Sequence, residues 1–205
     1  MRSREPLVLV LVLVVVFALS AWHPADWETW WMEVMPVLVA LPVVLAVERR
    51  IGLTPMSMRL LTFEAMIVAL GAHYTYAEVP LGFWVSDLLD LQRNHYDRFA
   101  HFAQGVVPTL AFRELLLRTS PLRRGKWLFA IVTSICLAIS ASYELVEWAA
   151  AVVFGDGATA FLGTQGDPWD TQWDMFLALV GTILTQALLG GMHDRQIREL
   201  DARRS

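Results

Sequence analysis

The chain has 205 residues, 56% of them hydrophobic and 18% charged, with nine Trp and a mean hydropathy of +0.48. Soluble domains carry about 25% charged residues, so this balance excludes an ordinary soluble globule and points to a polytopic membrane protein. The formal charge is −4, Cys136 is the single cysteine, and no basic stripe with interleaved aromatics occurs; an intrachain disulfide is excluded and no nucleic-acid partner is expected. The length suits one integral membrane domain spanning residues 1–205.

Residues 7–22 are a Leu/Val run without charge, preceded by Arg2 and Arg4 and closed by Trp22. We expect an uncleaved first transmembrane helix; the alternative is a signal peptide, with small residues at 18–21 for cleavage. Residues 22–33 follow as an acidic loop with Asp26, Glu28 and Glu33 and no Lys or Arg, where Trp27, Trp30 and Trp31 suit a membrane interface. Residues 30–47 form a second span despite Pro36 and Pro42, which membrane helices tolerate. Glu48, Arg49, Arg50 and Arg59 fill the next loop, and residues 60–76 a third span with Glu64 and His73. Residues 77–93 are aromatic, acidic and too broken to cross; a re-entrant or surface-lying segment is expected. Spans four to six follow at 97–117, 127–154 and 173–192.

Basic residues gather at the N-terminus, in loops two and four (Arg123, Arg124, Lys126) and at the C-terminus (Arg195, Arg198, Arg203, Arg204), while loops one and five carry none. The positive-inside rule then gives an all-α, polytopic membrane helix bundle of about six transmembrane helices with both termini cytoplasmic.

That topology sends the buried ionisable groups to the extracytoplasmic leaflet. Asp97 and His101 are four apart and share a helix face at the start of span four, with His95 just before them. Glu144 and Glu147 lie about 25–30 Å up span five, one turn apart. Asp167, Asp170 and Asp174 stand at the entrance to span six, and His73 at the outer end of span three. Plainer readings exist for several. Asp167 or Asp170 suits a helix cap, His73 a hydrogen-bonded interior residue, and Tyr74, Tyr76 and Trp169 interfacial anchors. Glu144 and Glu147 are different, because two carboxylates on an apolar span require partners. In the inner half only Glu64, Arg113 and Glu114 interrupt the apolar sequence, where they snorkel or pair.

Residues 93–104 (RNHYDRFAHFAQ), 142–148 (SYELVEW) and 166–181 (GDPWDTQWDMFLALVG) resemble the YjdF-type inner-membrane proteins of bacteria, over spans two to six. The resemblance implies a multi-pass protein of the bacterial plasma (inner) membrane and names no reaction. A more distant likeness is to VanZ-like membrane proteins, whose Asp-Lys-x-x-His-Phe element, following acidic helix and Asp-rich final entrance match Asp97, His101 and Phe102, Glu144 or Glu147, and Asp170, Asp174 and Gly181. Arg98 replaces the Lys, and Ala178 stands where VanZ-like proteins commonly have Asn.

The leading expectation is an enzyme acting at the outer leaflet on a lipid or lipid-linked envelope substrate. Asp97, His101, Glu144 and Glu147 are its expected catalytic residues, with His101 as acid or base oriented by Asp97. His73, His101, Glu147, Asp170 and Asp174 are the expected ligands of a divalent metal ion. Mixed His/carboxylate sets suit Zn, Mn or Fe, and carboxylates alone Mg or Ca. No HExxH-type spacing or evident nucleophilic Ser or Cys occurs. The alternatives are a structural or partner-binding membrane protein and a proton- or ion-coupled transporter. Besides the bilayer and such a substrate the sequence implies no partner, and it leaves the oligomeric state open.

Overall fold

The structure, a computed structural model, describes residues 4–155 and 159–202. Arg2, Arg203 and Arg204, which entered the charge pattern, lie outside the described residues. Among the described residues every regular element is helical: α1 (Glu5–Ser20), α2 (Trp27–Ile51), α3 (Pro55–Tyr74), a 3₁₀ turn (Tyr76–Glu78), α4 (Pro80–Leu89), α5 (Tyr96–Thr119), α6 (Lys126–Phe154), α7 (Thr159–Leu162) and α8 (Asp170–Ala202).

Four helices (α2, α3, α6 and α8) are long and apolar enough to cross a membrane. The other two expected spans are helical but fall short of that measure. α1 has 16 residues, about 24 Å of helix against a hydrocarbon core of about 30 Å. α5 has 24 residues but carries Asp97, Arg98, Arg113, Glu114 and Arg118. Local chemistry sets the ends. Asp26 Oδ1 accepts the Thr29 N–H at 2.7 Å and caps α2; Thr54 caps α3 just before Pro55, which suits a first helical turn. Nothing in residues 193–202 breaks a helix, so α8 runs ten residues beyond the span expected to end at 192.

The stretch expected to be re-entrant or surface-lying is the 3₁₀ turn and ten-residue α4, with Trp84 and Leu88 the most exposed side chains of α4. Buried Asn94 ties α4 to α5: its amide donates to the Val79 carbonyl (3.0 Å) and its Oδ1 accepts the Tyr96 N–H (3.0 Å).

α5 and α8 form the central pair. Gly105 lies against the backbone of Ala178, and Gly181 against the backbone at Phe102 and Val106; a side chain at either glycine would meet main chain. Small residues allow such close crossings where burial of apolar surface supplies no drive between helices. The Thr109 and Thr182 hydroxyls, 2.6 Å apart, hydrogen-bond across the seam. α3 and α6 flank this pair, α2 packs chiefly on α3, and α7 bridges α2 and α6.

Candidate functional site

The first two turns of α5 place Asp97 and His101 on one face, with Asp97 Oδ1 3.6 Å from His101 Nε2. α6 brings Glu144 Oε1 to 3.7 Å from the same nitrogen. The opposite ring nitrogen, Nδ1, lies 3.1 Å from the amide oxygen of Gln104, an acceptor. Nδ1 therefore carries the proton, and in the neutral ring Nε2 presents its lone pair to the carboxylates.

Two three-residue sets converge there. Ligand atoms of Asp97, His101 and Asp174 all lie within 4.8 Å of one another, and so do those of His101, Glu144 and Glu147. Tetrahedral donors around an ion with bonds of about 2.1 Å stand about 3.4 Å apart, so closing either set takes contractions of up to about 1.4 Å, within reach of side-chain rotation. Glu144 and Asp174 are buried, and Glu144 Oε1 and Asp174 Oδ1 have no hydrogen-bond partner. Buried polar atoms are ordinarily satisfied, so two oxygens without a partner among the described residues leave room for a proton, a water or a cation beside the imidazole.

The other two expected ligands stand apart from these sets. His73 Nδ1 donates to the Ser20 carbonyl at 2.9 Å, pinning α3 to the end of α1, as the plainer reading of that residue had it. Asp170 faces Arg93 at 2.9 Å and Arg98 at 3.7 Å, so its charge is already matched. Asp167 pairs with Arg98 and accepts the Trp169 N–H at 2.9 Å. That backbone hydrogen bond, with Arg98, holds the half-buried Asp167 carboxyl below the usual range. Burial, then the Arg98 and Arg93 charges, lowers the pKa of His95, a flanking residue. Gln165 clamps the loop before α8 to the entrance of α5, accepting the Asn94 N–H (3.1 Å) and donating to the Asn94 carbonyl (2.8 Å).

Sequence reasoning missed three contributors: Gln104, which sets the His101 tautomer, and Glu33 with Tyr143. Glu33, read as part of an outer loop, is inside α2, 3% exposed, and accepts the Tyr143 hydroxyl at 3.3 Å. An acid among Trp, Met and Val, next to an interfacial Trp pair, was the available signal.

Glu33, Asp97, His101 and Glu147 line one end of a cavity of about 600 Å³. Its walls are mostly aliphatic side chains of α2, α3 and α5, and its far end is reached by Leu53, Met58 and Leu115. From His101 to Leu115 along α5 is about 21 Å, the length of a long hydrocarbon chain.

The opposite end of the bundle holds a second polar cluster, closed and fully engaged around Glu114. That carboxylate accepts the Thr54 N–H and hydroxyl and the Ser57 hydroxyl, each at 3.0 Å. His193 Nε2 (3.3 Å) and Arg118 (3.3 Å) complete the shell. Arg113 joins the same end to Asp194 at 2.6 Å. The three residues expected to interrupt the inner half thus divide. Arg113 and Glu114 pair, whereas Glu64 lines the cavity with Oε2 buried and unpartnered.

The chain is 46% identical over 200 residues to the inner membrane protein YjdF of Escherichia coli (strain K12), covering 96% of each. No solved structure matches. The family model described as a predicted membrane protein (DUF2238) matches residues 5–195. This all-helical chain is therefore a multi-pass protein of the bacterial inner membrane and belongs to the DUF2238 family.

Proposed function

We propose that this protein is a metal-dependent enzyme embedded in the membrane, acting at the extracytoplasmic leaflet on a lipid or lipid-linked envelope substrate. In this reading the chain is one domain, α1, α2, α3, α5, α6 and α8 all cross the bilayer, and both termini are cytoplasmic. One observation carries it: Asp97, His101 and Glu147 of the cluster line one end of a long, mostly aliphatic cavity, with Glu144 and Asp174 beside His101 but outside the lining. A hydrocarbon tail fits the cavity and leaves the head of the lipid at the polar cluster.

His101 and one carboxylate pair hold a divalent ion, and the other pair handles protons. With Asp97 and Asp174 as the ligands beside His101, Glu144 and Glu147 serve as acid and base. The mixed donor set favours Zn, Mn or Fe over Mg or Ca. A distant VanZ-like kinship belongs to the same reading.

Metal analysis of the purified protein after exposure to Zn and Mn tests it. About one ion per chain is expected, lost in His101→Ala and in Asp174→Asn. No ion in the wild-type protein would remove the enzyme reading. Cysteine labelling in a chain lacking Cys136 tests orientation: Arg124→Cys should react only from the cytoplasmic side.

One feature favours the carrier alternative, the unpartnered Glu64 partway along the cavity. Membrane-buried carboxylates serve proton relays. Proton flux in liposomes that disappears in Glu64→Gln would select this reading over the enzyme.

A further inference from the structure

The cavity has a charge sign as well as a shape. Four of its lining residues are acids, Glu33, Glu64, Asp97 and Glu147, and among the described residues neither Lys nor Arg lines it. Arg93 and Arg98, the nearest cations to the α8 entrance, face Asp167 and Asp170 and take no part in the lining. In a low-dielectric wall an entering cation is matched by ionising one of these acids, whereas an anionic head group finds no counter-charge.

Glu33 lies outside both sets of convergent metal-ligand atoms. Its Oε2 accepts the Tyr143 hydroxyl, and Oε1 has no protein hydrogen bond among the described residues. Tyr143 and Tyr76 both line the cavity, and the Tyr143 ring stands 6.2 Å from the His101 ring. A buried carboxylate with an open oxygen beside two phenol rings is the chemistry that seats an ammonium: one charge-assisted hydrogen bond plus cation–π attraction. Glu64, with its own unpartnered Oε2, adds a second carboxyl on the same wall.

We propose that the cavity takes an amphiphile bearing a positively charged amine, its ammonium seated at Glu33 beside Tyr143 and Tyr76 and its tail along the aliphatic wall. This rests on the proposed reading only in taking the cavity as the substrate's seat, and it narrows the substrate class to amine-bearing lipids. The metal cluster and the amine seat are separate points on one ligand, the first for the reacting linkage and the second for recognition.

The test uses the full chain in phosphatidylcholine nanodiscs, treated with chelator. Three photoreactive probes of equal chain length are compared: a long-chain alkylamine, the matching alcohol and the matching alkyl phosphate. Cross-linked residues are mapped by mass spectrometry. The amine should label the cavity wall about fivefold more than the other two, the scale of one cation–π contact, and unlabelled alkylamine should compete. Glu33→Gln keeps an acceptor for Tyr143 and should reduce amine labelling to the level of the alcohol. Equal or stronger labelling by the phosphate overturns the proposal, as does an amine preference that survives Glu33→Gln. The order of the three probes on wild-type protein decides the matter even where the variant is not recovered. Because chelator is present, absence of a bound metal would defeat the enzyme reading without touching this result, and uniform labelling would defeat the amine seat without touching metal binding.

Discussion

Glu144 Oε1 stands 3.7 Å from His101 Nε2, and no hydrogen-bond donor reaches that oxygen. The imidazole is turned to it by Gln104, which occupies Nδ1, so a lone pair and an open carboxylate oxygen face each other inside the bundle. A divalent ion held by His101, Asp97 and Asp174 would take up that lone pair, leave Glu144 free to handle protons, and stabilise the fold by mass action. At 100 times the dissociation constant this amounts to about 2.7 kcal/mol, or a rise of about 5 °C or more in melting temperature. Asp174→Asn should remove most of that rise while melting near wild type in chelator, and Glu144→Gln should keep it, as differential scanning fluorimetry in detergent would record.

The closed cluster at the other end predicts the opposite pattern. Glu114→Ala would strand the Thr54 N–H, the Ser57 hydroxyl, His193 and Arg118 in a buried setting. Breaking a buried, multiply bonded charge costs about 3 kcal/mol or more. Unfolding titrations in mixed micelles should show that loss with and without metal alike.

The α5–α8 crossing couples stability to the site, because Asp97 and His101 ride on one helix and Asp174 on the other. Gly181→Val would push a side chain into the α5 backbone near Phe102 and Val106. Overpacking of this kind costs about 1–3 kcal/mol, and separation of the helices should abolish metal uptake as well. Gly191 supplies the control. A Cβ there meets nothing within 4 Å, so Gly191→Ala should be neutral or stabilising by up to about 1 kcal/mol. Folded yield by size-exclusion chromatography separates the two.

Asp26 gives a pH-dependent prediction outside the membrane. The Thr29 backbone N–H, then its side chain, lowers the Asp26 pKa below 3.8. A depressed carboxylate contributes stability above its unfolded pKa and loses it as pH falls through the lower folded value. Asp26→Ala should therefore cost about 1 kcal/mol at pH 7 and little once both forms are protonated, near pH 2. Melting temperatures across that range should converge at the acid end.

Much of this architecture is written in the sequence. Apolar runs bounded by Trp, Arg and Pro are local signals, and they place the helices to within a few residues except at the end of α8, where no breaker exists. The i,i+4 spacing of Asp97 and His101 is likewise local, and an acid on an apolar helix, as at Glu144, announces itself because burial without a partner is costly. What periodicity cannot give is which partner each group meets. Separation in sequence carries no information on helix rotation, so His73 and Asp170 had the same standing as Asp174 until their hydrogen bonds to Ser20 and Arg93 were visible. Glu33, near the start of α2, read as loop polarity for the same reason. Composition and hydropathy thus determined a helical membrane protein with polar groups gathered at one end. Only tertiary packing, through the small-residue contact of α5 with α8 and the placement of α2 and α3 around the cavity, decided that His101 meets Asp97, Glu144 and Asp174 and that His101, Asp97 and Glu147 line a mostly aliphatic cavity, because close approach depends on side-chain shape across helices far apart in the chain.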